Sequence, residues 1–150
     1  MSEPVFCAKN EMVLTHLCRR QPTALAFTWH RERTLKAYYE SGSHPEIVER
    51  IWDKIGAALP SDCRGLVYGT PALVHPVSGA VLAIGVGTQY GLRLCEPGVS
   101  AARAAGAKMT VTWASGETTD IGVECGSDWV FGYWSSEELV WCRQAYEVFG

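Results

Sequence analysis

The chain has 150 residues, of which 47% are hydrophobic and 19% are charged. This length is typical of one domain, and these proportions exclude an intrinsically disordered chain. The formal net charge is −3, and residues 60–150 carry five Lys or Arg against nine Asp or Glu. Because an acidic balance repels phosphate groups, we expect no binding to duplex DNA.

The sequence also indicates the cellular compartment. It has no run of about 18 uncharged apolar residues, so no membrane span is predicted. Glu3, Lys9 and Glu11 interrupt the stretch in which a signal peptide needs an apolar core, and we expect a cytoplasmic protein. The six cysteines are widely spaced without a Cys-x-x-Cys pair, which predicts free thiols rather than disulfides.

The N-terminal 43 residues give mixed signals. Apolar residues recur at helical spacing within residues 9–20, so a helix is predicted there. Two alternatives remain open for residues 23–39. The run Ala-Leu-Ala-Phe-Thr-Trp fits a strand, whereas Leu25, Trp29 and Arg33 could share one face of a helix.

The clearest helix is predicted over residues 44–59. Ile47, Ile51 and Ile55 recur every four residues and form one apolar stripe, and Pro60 ends the pattern. An amphipathic helix of this kind needs an apolar surface to pack against.

A second long helix is predicted over residues 136–148. Each of the two helices follows a Ser-x-x-Glu capping box, in which the two side chains satisfy free backbone donors at the helix start. The boxes are Ser43 to Glu46 and Ser135 to Glu138.

The middle of the chain predicts an antiparallel meander of four or five strands over residues 65–123. Apolar runs alternate with turn signals such as Pro76-Val77-Ser78-Gly79, a short helix is expected over residues 99–105, and residues 109–123 predict a second hairpin. Tight turns require antiparallel pairing. We therefore predict an α+β domain spanning residues 1–150, with an antiparallel meander sheet, helices at about 44–59 and 136–148, and an N-terminal helical extension.

The order of these elements resembles a known family. A capped helix leads into Arg64–Leu73, which contains the aromatic-glycine pair Tyr68-Gly69, and a hairpin, an Ala-rich helix and the final helix with Trp141–Tyr146 follow. This order resembles the N-terminal domain of the competence regulator TfoX and related stand-alone bacterial proteins, over about residues 44–148 with residues 1–43 as an extension. The resemblance implies an α+β fold and a regulatory or partner-binding role, and it supplies no catalytic residues.

Metal and nucleotide sites have no supporting pattern. The closest His and Cys pair, His16 and Cys18, would project from different sides of a helix, so no metal site is predicted. Gly85, Gly87 and Gly91 are followed by a strand-like run, whereas a dinucleotide loop must open a helix. We assign no cofactor and no catalytic residue.

Aromatic residues supply the remaining functional signal. Trp129, Phe131 and Tyr133 alternate, which places three rings on one side of an extended segment, either in the core or in a patch for a partner protein or small ligand. The first hypothesis is a non-enzymatic binding or regulatory module. The second is a small enzyme with a pocket on the sheet around His75. The candidate binding residues of the two hypotheses are Tyr68, His75, Tyr90, Arg93, Trp129 and Trp134.

Overall fold

The computed structural model describes residues 8–20, 23–29, 45–59, 63–86, 89–108, 110–112, 116, 118–120, 125–131 and 138–149. These residues confirm the α+β class, with a six-stranded antiparallel sheet covered by helices. Within the same residues no helix is both long and apolar enough to cross a membrane.

The helices and strands have the following bounds. The helices are α1 (Glu11–Arg20, after the 3₁₀ turn Ala8–Asn10), α2 (Pro45–Glu49, continuing as a π-helical segment Arg50–Ile55 and a 3₁₀ turn Gly56–Ala58), α3 (Gly98–Ala104) and α4 (Glu138–Phe149). The strands are β1 (Phe27–Trp29), β2 (Arg64–Val67), β3 (Thr70–Val74), β4 (Val81–Val86), β5 (Gln89–Arg93), β6 (Thr110–Thr112), β7 (Thr118–Asp120) and β8 (Trp129–Phe131).

The sheet has the order β1-β2-β3-β4-β5-β8, with every neighbouring pair antiparallel. The predicted meander is therefore confirmed for β2 to β5. The prediction that it reaches residue 123 was wrong, because β6 and β7 pair in a separate two-stranded sheet. Their residues are largely polar, whereas Trp129 and Phe131 of β8 are buried and take the place beside β5.

The predicted helices are confirmed with small shifts. The helix expected over 44–59 is continuous over 45–58, and its stripe of Ile47, Ile51 and Ile55 is buried. The helix expected over 136–148 is α4, and the one expected over 99–105 is α3. The capping residues Ser43 and Ser135 lie outside the described residues.

Of the two alternatives for residues 23–39, the strand is correct where the chain is described. Phe27–Trp29 forms β1 and pairs with β2, with Thr28 opposite Leu66. Residues 30–39 lie outside the described ranges. Because β1 belongs to the sheet, the sheet includes part of residues 1–43, the segment that the resemblance treats as an extension.

Both faces of the sheet are covered by apolar side chains. On one face the α2 segment and α4 pack against residues that include Leu73, Tyr90 and Leu92. On the other face Val13 and Leu17 of α1 are fully buried against strand residues. Burial of one such aliphatic side chain stabilises the fold by about 1.5–3 kcal/mol, so α1 is an integral part of the core.

A β-bulge shapes the hairpin between β3 and β4. Leu73 pairs with Ala83 while Val74 pairs with Val81, which leaves Leu82 as an extra residue on β4. A bulge of this kind re-aims the neighbouring side chains. Here it directs Val81 to the α1 face and both Leu82 and Ala83 to the opposite face.

The far edge of the sheet is built around a glycine. Gly91 of β5 lies opposite Phe131 of β8, and a Cβ at position 91 would overlap the Phe131 ring. The outer side of Phe131 is bonded to Lys108, since each backbone N–H of the pair donates to the carbonyl of the other at 2.8 Å.

The Gly91→Ala substitution should therefore destabilise the protein. Because the new methyl group must displace a buried ring, we expect the free energy of unfolding to fall by about 1–3 kcal/mol in urea titrations. The matched control is Gly98→Ala, where the new Cβ would lie 3.6 Å from Leu94 and Trp141, an ordinary contact distance. Equal losses in the two variants would contradict the role assigned to Phe131.

Candidate functional site

The structure separates the six candidate binding residues. Arg93 and Trp129 are cross-strand partners, and His75 is connected to them through the N-terminal residues Lys9 and Asn10. Tyr90 faces the other side of the sheet, within the core under α2 and α4. Tyr68 lies in the β2–β3 turn, and Trp134 lies outside the described residues.

Arg93 is the charged residue of the group that also contains Trp129 and His75, and it is only 2% exposed. Its Nη1 donates to Oδ1 of Asn10 at 3.1 Å, and its Nη2 donates to the backbone carbonyl of Lys9 at 2.9 Å. Nε lies 3.3 Å from Oδ2 of Asp128, close enough for an ion pair but not aligned as a hydrogen bond. These four residues, together with the rings of Trp129 and Phe149, are called the arginine cluster.

Two aromatic rings complete the arginine cluster. The Arg93 guanidinium carbon lies 5.2 Å from the ring centroid of Trp129 and 5.5 Å from that of Phe149. Both distances suit cation–π attraction, which is strengthened where water is excluded. A guanidinium with this many partners has a structural role, because breaking a buried charge pair costs about 3–5 kcal/mol.

Asn10 joins the N-terminal segment to the sheet. Its Nδ2 donates to the Gly79 carbonyl at 2.7 Å, and its Oδ1 accepts from the Val81 backbone N–H at 2.8 Å as well as from Arg93. The side chain is fully buried. Asn10 could not be identified from sequence, because an isolated Asn beside a helix start has no pattern that indicates a partner some 70 residues away.

His75 is buried beside this cluster, with 4% of its surface exposed. Its Nδ1 accepts hydrogen bonds from the backbone N–H groups of Val77 and Ser78, at 3.1 and 3.2 Å. The ring stacks on Tyr146 of α4 at a centroid distance of 4.2 Å. Burial, with a smaller contribution from the positive charge of Lys9, lowers the pKa of His75 below its ordinary value. The ring is therefore neutral at pH 7, and its Nδ1 lone pair is already engaged.

The second group lies at the opposite end of the sheet and is aromatic. We call Leu14, Phe27, Trp29 and Tyr68 the aromatic corner, since all four are half-buried against the α1 face of the sheet. The Phe27 and Trp29 rings meet edge to face with centroids 4.8 Å apart. Phe27 also lies over the backbone of Gly65, where a Cβ would come within 3.0 Å of its Cε1.

Tyr68 occupies an unusual backbone position in this corner. Its φ is +48° and that of Gly69 is +74°, so the two form a left-handed two-residue turn between β2 and β3. Desolvation raises the pKa of Tyr68, and a hydrogen bond with Cys18 adds to the increase. Its hydroxyl group therefore stays protonated and links the turn to α1.

The described residues contain neither a disulfide bond nor a group of side chains that could hold a metal ion. None of the five cysteines among them forms a disulfide bond: Cys18, Cys63, Cys95, Cys125 and Cys142. Cys7, the sixth, lies outside the described residues. In the same part of the chain no group of three or more His, Cys, Asp or Glu side chains could hold a metal ion.

Comparison with known proteins provides no relative of this chain. No protein-family model, no curated protein and no solved structure matches it. Function must therefore be inferred from the chemistry of the arginine cluster and the aromatic corner.

The Asn10→Ala substitution tests the role of the arginine cluster. It removes a hydrogen-bond partner from the Gly79 carbonyl, the Val81 N–H and Arg93, so we expect the free energy of unfolding to fall by about 3 kcal/mol. Urea titration measures the loss. The control is Thr15→Ala, whose exposed hydroxyl bonds only to the Glu11 carbonyl of its own helix, and it should change stability by less than about 0.5 kcal/mol.

Proposed function

We propose that this chain is a non-enzymatic binding module that holds an apolar segment of a partner protein at the aromatic corner. The observation that carries the proposal is the backbone conformation of Tyr68. A bulky residue in the left-handed region costs about 1–2 kcal/mol, and Gly or Asn normally occupies this position in a two-residue hairpin turn. Strain of this kind concentrates at functional sites, where the side chain matters more than local stability.

The surroundings of Tyr68 suit an apolar ligand. Phe27, Trp29 and Leu14 remain half-exposed beside it, and Leu25, two residues before Phe27, is 74% exposed. Tyr and Trp rings are frequent among the residues that dominate protein interfaces, since they combine a large apolar area with a polar group. The resemblance to the TfoX N-terminal domain agrees with a partner-binding role.

Two observations count against the alternative of a small enzyme around His75. The Nδ1 atom that a general base would use accepts two backbone hydrogen bonds, and the ring is buried against Tyr146. Arg93, the nearest candidate for binding an anion, already contacts Asp128, Asn10 and two rings.

The proposed setting is the cytoplasm, with a protein rather than a nucleic acid as the partner. The thiol form of the five described cysteines suits a reducing compartment. The acidic balance of residues 60–150 disfavours duplex DNA, because affinity for DNA depends on clustered Lys and Arg.

The Tyr68→Asn substitution separates binding from folding. Asn followed by Gly69 is a preferred pair for this turn, and this gain should offset the lost contact with Cys18, so we expect a melting temperature close to that of the wild type. We also expect loss of the apolar contact surface. Peptides selected from a random display library on the immobilised wild-type protein should therefore bind Tyr68→Asn at least tenfold more weakly, as measured by fluorescence anisotropy.

The matched control is Val77→Ser, which removes an exposed apolar side chain from another hairpin turn. It should leave peptide affinity unchanged. The proposal is wrong if no peptide is enriched on the wild-type protein, or if the selected peptides bind all three proteins equally well.

A further inference from the structure

The turn between β3 and β4 contains His75, whose protonated ring is incompatible with the two hydrogen bonds that its neutral ring accepts. We call residues 75–80 the His75 turn. A neutral imidazole that accepts hydrogen bonds at Nδ1 carries its single proton on Nε2. A second proton can therefore bind only at Nδ1, where the N–H groups of Val77 and Ser78 already donate. Protonation of the ring must break both hydrogen bonds.

The His75 turn connects three parts of the fold. Within the turn, the His75 N–H donates to the Ala80 carbonyl at 2.8 Å, and the Gly79 N–H donates to the His75 carbonyl at 2.9 Å. The Gly79 carbonyl accepts from Asn10 of the N-terminal segment. The His75 ring stacks on Tyr146 near the C-terminal end of α4. The turn therefore contacts residues near both ends of the described chain.

Among the described residues, two titratable side chains face the His75 ring. Lys9 faces it from the N-terminal segment and repels a second positive charge, and Tyr146 faces it from α4. The described residues of the turn itself, Pro76 to Gly79, add no titratable group. Lys9 also donates from Nζ to the Phe149 carbonyl at 3.1 Å, so it joins the N-terminal segment directly to the last turn of α4.

We propose that the His75 turn is a pH-sensitive switch. In its closed state the turn holds the N-terminal segment and the end of α4 against the sheet, and it opens when the ring is protonated. Opening removes the two hydrogen bonds to Nδ1, loosens the stack on Tyr146 and frees Gly79 from the geometry that Asn10 requires. The central strands stay folded, because β4 is bonded to β3 and β5 on both sides. This inference does not depend on the function proposed for the aromatic corner.

The sign of the pH effect follows from proton linkage. The closed state of the turn favours the neutral ring. In the opened state the ring is solvated and titrates near its ordinary pKa of about 6.5. Above that pH neither state takes up a proton, so the equilibrium between the closed and opened turn does not change with pH. As the pH falls below it, the opened state takes up one proton, and the opening equilibrium rises by up to about tenfold per pH unit.

The test is amide hydrogen exchange of the full chain between pH 7.5 and pH 5, with each rate corrected for intrinsic exchange at that pH. Protection of the Val77 and Ser78 amides and of the last turn of α4 should fall by up to about tenfold per pH unit below pH 6.5. Protection of Ala83 and Ile84 in β4 should not change over the first pH unit. Equal loss in β4 would show ordinary acid unfolding and overturn the proposal.

The diagnostic variant is His75→Asn, because the Asn side-chain oxygen can accept the same two backbone hydrogen bonds but does not titrate. Its protection should be independent of pH. The control is His16→Asn, which removes another buried histidine and should keep the wild-type response. Retention of the response in His75→Asn, or its loss in His16→Asn, would overturn the proposal.

A measurement on the wild-type protein keeps the test valid if a variant does not fold. Ring ¹⁵N spectra of His75 should show a neutral ring with its proton on Nε2 at pH 7.5. Because the closed state favours the neutral ring, the bulk of the rings should become protonated only below pH 6.5, after the Val77 and Ser78 amides have begun to lose protection. A proton on Nδ1 at pH 7.5, or ring protonation while the Val77 and Ser78 amides keep their full protection, would contradict the mechanism.

Discussion

A positive charge buried in a small domain constrains everything around it. The Arg93 guanidinium lies at the end of β5, out of contact with bulk water, and such a charge is stable only where its donors have acceptors. Those acceptors come from distant parts of the chain, since Lys9 and Asn10 precede α1 and Asp128 precedes β8. One side chain therefore contacts the N-terminal segment, the residue that precedes β8 and the last turn of α4.

The two clusters differ in what the fold requires of them. In the arginine cluster the Asn10 amide and both Nη atoms of Arg93 are bonded to partners that the fold also needs, so a change there acts first on stability. In the aromatic corner the fold accepts an unfavourable backbone angle at Tyr68 and keeps large rings half-exposed. Because Asn or Gly at position 68 would serve the hairpin better, the Tyr side chain is the feature that calls for a functional explanation.

Much of the architecture could be predicted from sequence, because it depends on local signals. The four-residue spacing of Ile47, Ile51 and Ile55 predicts one apolar helix face, and Pro76 to Gly79 predicts a tight turn that forces antiparallel pairing. The strand Phe27–Trp29 could not be distinguished from a helix, since three residues are too few to show a period and its place in the sheet depends on β2. For the same reason the separation of β6 and β7 from the main sheet was not predicted.

The candidate site was harder to predict, because its contacts are not local. Arg93 was identified for its chemistry, but Asn10, which binds it from 83 residues away, gives no signal in the sequence. His75 was identified as the centre of a possible enzyme pocket, yet its Nδ1 accepts hydrogen bonds from two backbone groups of its own turn, which the sequence does not indicate. Tyr68 was identified as part of an aromatic-glycine pair, and the left-handed angle that makes it unusual depends on the turn geometry.

The paired backbone bonds between Lys108 and Phe131 have a consequence for behaviour at high concentration. A strand at the end of a sheet offers free N–H and C=O groups to other molecules, and such edges are common starting points for aggregation. Here both groups of Phe131 are occupied by a residue of the same chain, and the exposed Lys108 adds a charge at that point. A second molecule could pair with Phe131 only by breaking these two hydrogen bonds and approaching a lysine, so the edge is protected against polymer growth at this residue.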